Sequence, residues 1–195
     1  MADTIDLGAA ARRMAGLLDA VPEARLGAPT PCAEYALGDL VDHVGGLSMA
    51  FTMAAAKETA QAPGNPSGDG SRLEDGWRGR IAGDLERLAE AWRDPQAWTG
   101  MTRAGGLDLP GEIAGKVALN ELVVHGWDVA RSAGLPYEPD AAELETCRSF
   151  LAASAGQAPQ DGSGPFGVPV EVPRDAPLLH QVIALAGRNP SWPAT

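Results

Sequence analysis

The chain of 195 residues predicts an all-α fold, a four-helix bundle followed by short C-terminal helices and an extended tail segment. Three observations carry this: four long segments repeat apolar residues at helical spacing, prolines and glycines separate them, and no convincing alternating strand lies between them. The length suits one domain, residues 1–195, with the bundle at about 3–134 and an additional helix and tail at 138–195.

The first helix is expected over about residues 3–20, where Leu7, Ala10, Met14, Leu17, Leu18 and Val21 form a stripe that Pro22 closes. The next stretch, EARLGAPTPCAEYAL, holds two prolines and reads as a loop. A second helix follows over about 37–59, with Leu40, Val41, Val44, Leu47 and Phe51 on one side and His43 at the edge of that face. Residues 61–72, QAPGNPSGDGSR, have the composition of a flexible surface loop. A third helix is expected over about 73–92, its stripe made by Trp77, Ile81, Leu85, Leu88 and Trp92, with Asp94-Pro95 ending it. Another loop, through TRAGGLDLPGE, leads to the fourth helix, where Pro110 suits the first turn and Gly134 the C-terminal cap. Asp140 and Glu143 then form a capping-box pattern before a shorter helix carrying Leu144, Cys147, Phe150 and Leu151. The tail runs through PFGVPVEVP to a last short helix from Pro177 to about Ala186.

The fourth segment, GEIAGKVALNELVVHGWDVARSAG, contains an anomaly. With Ile113 at zero and about 100° per residue, its apolar face spans roughly 20° to 160°. Glu121 falls at about 80°, Asp128 at about 60° and His125 at about 120° on the same face. A carboxylate buried there costs several kcal/mol, on the order of a lost ion pair, unless a cation or good donors compensate it. Glu121 and His125, four residues apart, lie one above the other and could share an ion. His43 would complete two imidazoles and a carboxylate, a set that suits zinc with an open position, or nickel or ferrous iron. A Glu-x-x-x-His pair on a helix is also common without any metal, and a lone histidine on an apolar face is often a hydrogen-bonded core residue.

Composition narrows the partners. A net charge of −11 argues against nucleic acid or an anionic membrane. The opening residues MADTIDLGAAARRM carry acids and no long apolar run, so neither a signal peptide nor a membrane span is expected, and the chain reads as cytoplasmic. Two cysteines, Cys32 and Cys147, make no disulfide framework. Cys32 reads as a small buried hydrophobe or a reactive thiol, Cys147 as core, and His180 as a surface residue outside any ligand set.

Several stretches resemble the DinB-like superfamily of metal-binding four-helix bundles, in the branch of mycothiol-dependent maleylpyruvate isomerase. They are Thr30-Pro31-Cys32, Leu40-Val41-x-His43-Val44, Trp77-Arg78, Glu121-Leu122-Val123-Val124-His125-Gly126-Trp127-Asp128 and Leu185-Ala186-Gly187-Arg188-Asn189-Pro190, the last in the manner of actinobacterial members. Tyr35 is a departure, since relatives often carry tryptophan there. The resemblance implies metal ligands at His43, Glu121 and His125. Asp128 would orient His125, handle protons or water at the metal, or form a salt bridge to Arg131 or Arg78. It further implies mycothiol as a thiol cofactor and a small-molecule substrate for a thiol-dependent isomerase or transferase. The alternatives are a non-catalytic metal-stabilised module that binds a ligand or partner, and a hydrolase or cyclase using metal-activated water. A homodimer is compatible with an amphipathic bundle.

Overall fold

The computed structural model describes residues 4–58, 66–155 and 167–193. Among them six α-helices, α1 (Gly8–Ala20), α2 (Leu37–Ala55), α3 (Trp77–Ala91), α4 (Gly111–Ala133), α5 (Ala141–Ala155) and α6 (Leu178–Leu185), carry the fold. In the bundle, α1 and α2 each pack against both α3 and α4, so α1 lies diagonally opposite α2 and α3 diagonally opposite α4. This arrangement sets α2 directly beside α4, which brings the two histidine-bearing helices together. The four stripes meet in one core that includes Met14, Leu18, Leu40, Ile81, Leu88 and Leu119. Trp92 and Trp98 close one end edge to face at 5.1 Å, with Trp98 Nε1 donating to Trp92 O and Trp92 Nε1 to Phe51 O. A Cβ at Gly115 would sit 2.5 Å from the Trp98 ring, so the indole fits only because that position has no side chain.

The four-helix reading holds, and the boundaries shift. α1 starts at Gly8 rather than near residue 3, α2 ends at Ala55, and α3 starts at Trp77 behind Gly76, whose φ of +81° breaks the chain before it. The loop expected between α3 and α4 contains a β-hairpin, β1 (Met101–Ala104) against β2 (Leu107–Pro110), antiparallel with Ala104 opposite Leu107. Gly105 and Gly106 both have positive φ, 58° and 80°, the backbone a two-residue hairpin turn needs. Strands of four residues are too short for alternation to register, so the Gly-Gly pair was their only sequence signal. Part of the 61–72 loop and the start of the proline-spaced tail lie outside the described residues.

α4 also departs from a one-sided amphipathic helix. Residues 122–130 are all buried, because α5 covers the side that α1 and α2 leave open, and Ile113 is exposed. At the start of α5, Glu143 accepts a hydrogen bond from Asp140 N at 3.1 Å, and Arg13 of α1 pairs with both acids. Cys147 is core, as expected. Among the described residues no helix is long and apolar enough to cross a membrane.

Candidate metal centre

His43, Glu121 and His125 converge where α2 meets α4. One ligand atom from each lies within 4.8 Å of the other two. The imidazoles stand edge to face, 5.1 Å between centroids and 87° between planes. Each ring is held from behind through Nδ1. His43 Nδ1 lies 2.6 Å from Pro66 O. A carbonyl oxygen only accepts, so Nδ1 carries the proton and Nε2 keeps the lone pair. His125 Nδ1 donates to Asp128 Oδ2 at 3.0 Å, and its Nε2 faces Glu121 Oε2 at 3.0 Å.

The backbone that holds His43 comes from the loop that composition marked as mobile surface. Asp39 in the first turn of α2 accepts from Gly70 N at 2.7 Å as well as from Ala36 N. One turn on, Asp42 accepts from Asp69 N and from the Arg72 guanidinium. A Cβ on Gly68 would stand 2.1 Å from Asp39 O, so glycine is required where the loop lies on the helix. Tyr35, at the position of departure from the family pattern, packs against His43 with the rings tilted by 41° and 5.1 Å between centroids, and accepts from Gly68 N. Its phenol thus supports the same contact.

Glu121 and Asp128, which the helical wheel places together on the buried face of α4, differ in exposure. Asp128 is fully buried, whereas the Glu121 side chain keeps 20% of its surface exposed. The large desolvation cost therefore falls on Asp128, and His125 and Arg188 offset it. Arg188 Nη2 donates to Asp128 Oδ2 at 3.2 Å. Neither arginine considered from sequence pairs with this acid. Arg131 turns its guanidinium to Trp192 O, and Arg78 binds Glu23 and Val21 O while lying over the Trp77 ring. Gly126, between the histidine and the buried Trp127, leaves room for Tyr137, whose hydroxyl donates to Val123 O at 2.7 Å.

Charge follows from these contacts. Burial and the neighbouring His125 lower the pKa of His43, which keeps it neutral. Burial works against a charged His125, but hydrogen bonds to Asp128 and Glu121 prevail and push it up to about 9. For Glu121 burial likewise opposes ionisation, yet the hydrogen bond and charge of His125 hold it below the usual carboxylate range. These contacts set an imidazolium between two carboxylates beside a neutral imidazole. A cation could replace the Nε2 proton while Asp128 keeps hold of Nδ1.

Cys32 is half-buried, not core, and its sulfur lies within 4.8 Å of ligand atoms of His125 and Asp128. Burial raises its pKa, partly countered by Arg188. Thr30 fixes this turn: its hydroxyl lies 2.8 Å from both Cys32 O and Tyr35 O. His180 is half-buried on α6 and belongs to neither ligand cluster. Beside Glu121 a cavity of about 10 Å³, lined by Met14, Val44, Phe51 and Leu88 among others, has room for one water at most.

The model of the mycothiol maleylpyruvate isomerase N-terminal domain matches residues 7–130. The chain belongs to that family. Two uncharacterized proteins from different strains of Mycobacterium tuberculosis are each 33% identical over 182 residues, covering 90% of this chain and 91% of theirs. The crystal structure of the mycothiol-dependent maleylpyruvate isomerase shares the fold, with a TM-score of 0.58 and 19% identity over 80% of this chain and 69% of that one. A histidine-to-alanine mutant of that enzyme superposes equally, with a TM-score of 0.59 and 18% identity. The family match ends at Ala130, so Arg188, like Tyr137, comes from outside the matched segment.

Two contributors were missed from sequence. Pro66 acts through a backbone carbonyl, which no side-chain motif reports; the glycine-rich loop after it was the only trace. Arg188 stood within the family-like Leu185–Pro190 stretch, yet nothing in the spacing links it to a residue 60 positions earlier.

Proposed function

We propose that the chain holds a divalent metal, zinc by its donor set, through His43, Glu121 and His125, and works on a small molecule in a thiol-dependent isomerisation or transfer of the mycothiol type. The observation that carries this is the pair of imidazoles held through Nδ1, with Nε2 of His43 free of a proton and that of His125 turned to Glu121, converging with one carboxylate. Three protein ligands leave zinc an open position. A zinc ion at such a centre would acidify a bound thiol, giving a thiolate nucleophile at neutral pH.

The chain's own residues supply the rest. Pro66 O and Asp128 keep the two rings in the tautomer that presents Nε2, and His43 enters the centre neutral. Glu121 brings the negative charge that makes the site select a cation. The water-sized cavity beside Glu121 leaves no space for a substrate within the apolar core. Family membership supports mycothiol as the thiol, since the structurally similar enzyme is mycothiol-dependent.

The test is elemental analysis of protein purified without added metal or nickel resin, coupled to binding assays with mycothiol and glutathione. About one zinc per chain is expected, with mycothiol preferred. Equal metal content in wild type and in a His43→Ala, His125→Ala double variant would refute the ligand assignment. Absence of thiol binding by the metal-loaded protein would refute the thiol chemistry.

A further inference from the structure

We infer that Arg188 is a positioning residue of the metal centre, acting through Asp128, so that the segment after α6 completes a site whose ligands all come from α2 and α4. The inference rests on the metal reading above and concerns how the chain prepares His125. Arg188, Asp128 and His125 form a continuous relay: Arg188 Nη2 to Asp128 Oδ2 at 3.2 Å, and His125 Nδ1 to the same oxygen at 3.0 Å. Asp128 is fully buried, and among the described residues its Oδ1 has no hydrogen-bond partner. Its carboxylate is therefore fixed through one oxygen only, and the fixed donor on that oxygen besides His125 is the guanidinium.

The guanidinium is itself well anchored. Only 14% of the Arg188 side chain is exposed, and Nη1 donates to Ala186 O at 2.9 Å. Gly187 at φ +80° turns the chain directly after α6, and Arg131 of α4 holds Trp192 O further along the tail. These contacts lead the tail back across α4 and bring Arg188 to Asp128. Without Arg188, the carboxylate would keep the single bond to His125 and lose its second point of attachment. The imidazole would then no longer be held in one orientation. Partners behind a metal-bound histidine typically matter by about 10- to 100-fold in metal affinity.

A second effect has the opposite sign and makes the test decisive. Arg188 is a cation close to a cation site, and its charge alone disfavours metal. An orienting role predicts weaker metal binding when Arg188 is removed. A purely electrostatic role predicts tighter binding.

The experiment compares zinc affinity, by competition with a chromophoric chelator at one pH and ionic strength, in wild type, Arg188→Met, Arg188→Lys, Asp128→Asn and the Arg188→Met, Asp128→Asn double variant. The visible spectrum of each cobalt(II)-loaded protein and the thermal midpoint of each metal-free protein are recorded alongside. Arg188→Met should weaken zinc by roughly 10-fold or more and change the cobalt spectrum, and Arg188→Lys should recover part of both. In the double variant the loss should stay within about 2-fold of that in Asp128→Asn, because one residue acts through the other. Unchanged or tighter zinc binding in Arg188→Met overturns the inference, as do losses that multiply in the double variant. If Arg188→Met does not fold, Arg188→Lys and Asp128→Asn decide: a lysine variant indistinguishable from wild type in a protein insensitive to Asp128→Asn also overturns it. A wild type that takes up no metal overturns the metal reading and this inference with it. Metal uptake that is indifferent to Arg188 overturns this inference alone.

Discussion

Replacing Gly126 by alanine tests why glycine separates His125 from Trp127 in α4. The added Cβ would stand 2.7 Å from Tyr137 Oη, 2.9 Å from Cε2 and 3.0 Å from Cζ. Tyr137 has little freedom to retreat, since its hydroxyl is bonded to Val123 O, and burial pushes the phenol pKa up. Alanine gains about 1 kcal/mol of helix propensity over glycine. Overpacking costs about 1–3 kcal/mol, and a broken Tyr137 hydrogen bond about 1 kcal/mol more. The net expectation is a destabilisation of about 1–3 kcal/mol, read from urea unfolding of the metal-free protein. Tyr137→Phe removes the atom nearest the new methyl, so Gly126→Ala should cost about 1 kcal/mol less in that background. A Gly126→Ala protein as stable as wild type would refute the packing explanation. An equal cost in both backgrounds would show that the ring carbons, not the hydroxyl, carry the clash.

Two further outcomes follow from the geometry. In the metal-free protein the His125 pKa is raised from 6.5 to about 9, so its stabilisation is complete below pH 6.5 and is lost as pH rises through about 9. Thermal midpoints measured in chelator should therefore fall across that window, by an amount equivalent to at most about 3 kcal/mol, and His125→Gln should remove this slope. A flat or rising wild-type profile would contradict the imidazolium between two carboxylates. Gly68→Ala would drive a Cβ to 2.1 Å from Asp39 O and lift the loop that holds Pro66 O on His43. Zinc affinity should fall by roughly 10-fold while the urea midpoint changes little, because the bundle core lies elsewhere; wild-type affinity in this variant would show that the Pro66 contact is dispensable.

Most of the helical framework was legible in the chain because burial of a helix leaves a periodic trace. The stripes of α1, α2 and α3 are the faces now buried, and Pro22, Pro177 and Gly134 stand at the ends they were expected to mark. The β-hairpin was not legible, since four-residue strands carry too few side chains to display a period. The wheel for α4 located three polar residues on one face correctly, but exposure was misjudged. A wheel assumes a single buried side, and α5 covers a second one, so Asp128 is enclosed and Glu121 is the more open acid.

The sequence by itself determined which residues could bind a cation: two imidazoles and a carboxylate are chemical facts of His43, Glu121 and His125, and the four-residue spacing aligns two of them on any helix. Only the tertiary structure decided how they are presented. The diagonal order of the bundle sets α2 against α4, a loop carbonyl fixes one ring, and an arginine from the end of the chain braces the acid behind the other. Periodicity reports contacts within a helix, where separation along the chain fixes distance. Contacts at Pro66 and Arg188 join segments whose separation depends on how the whole chain packs, and no local pattern encodes that.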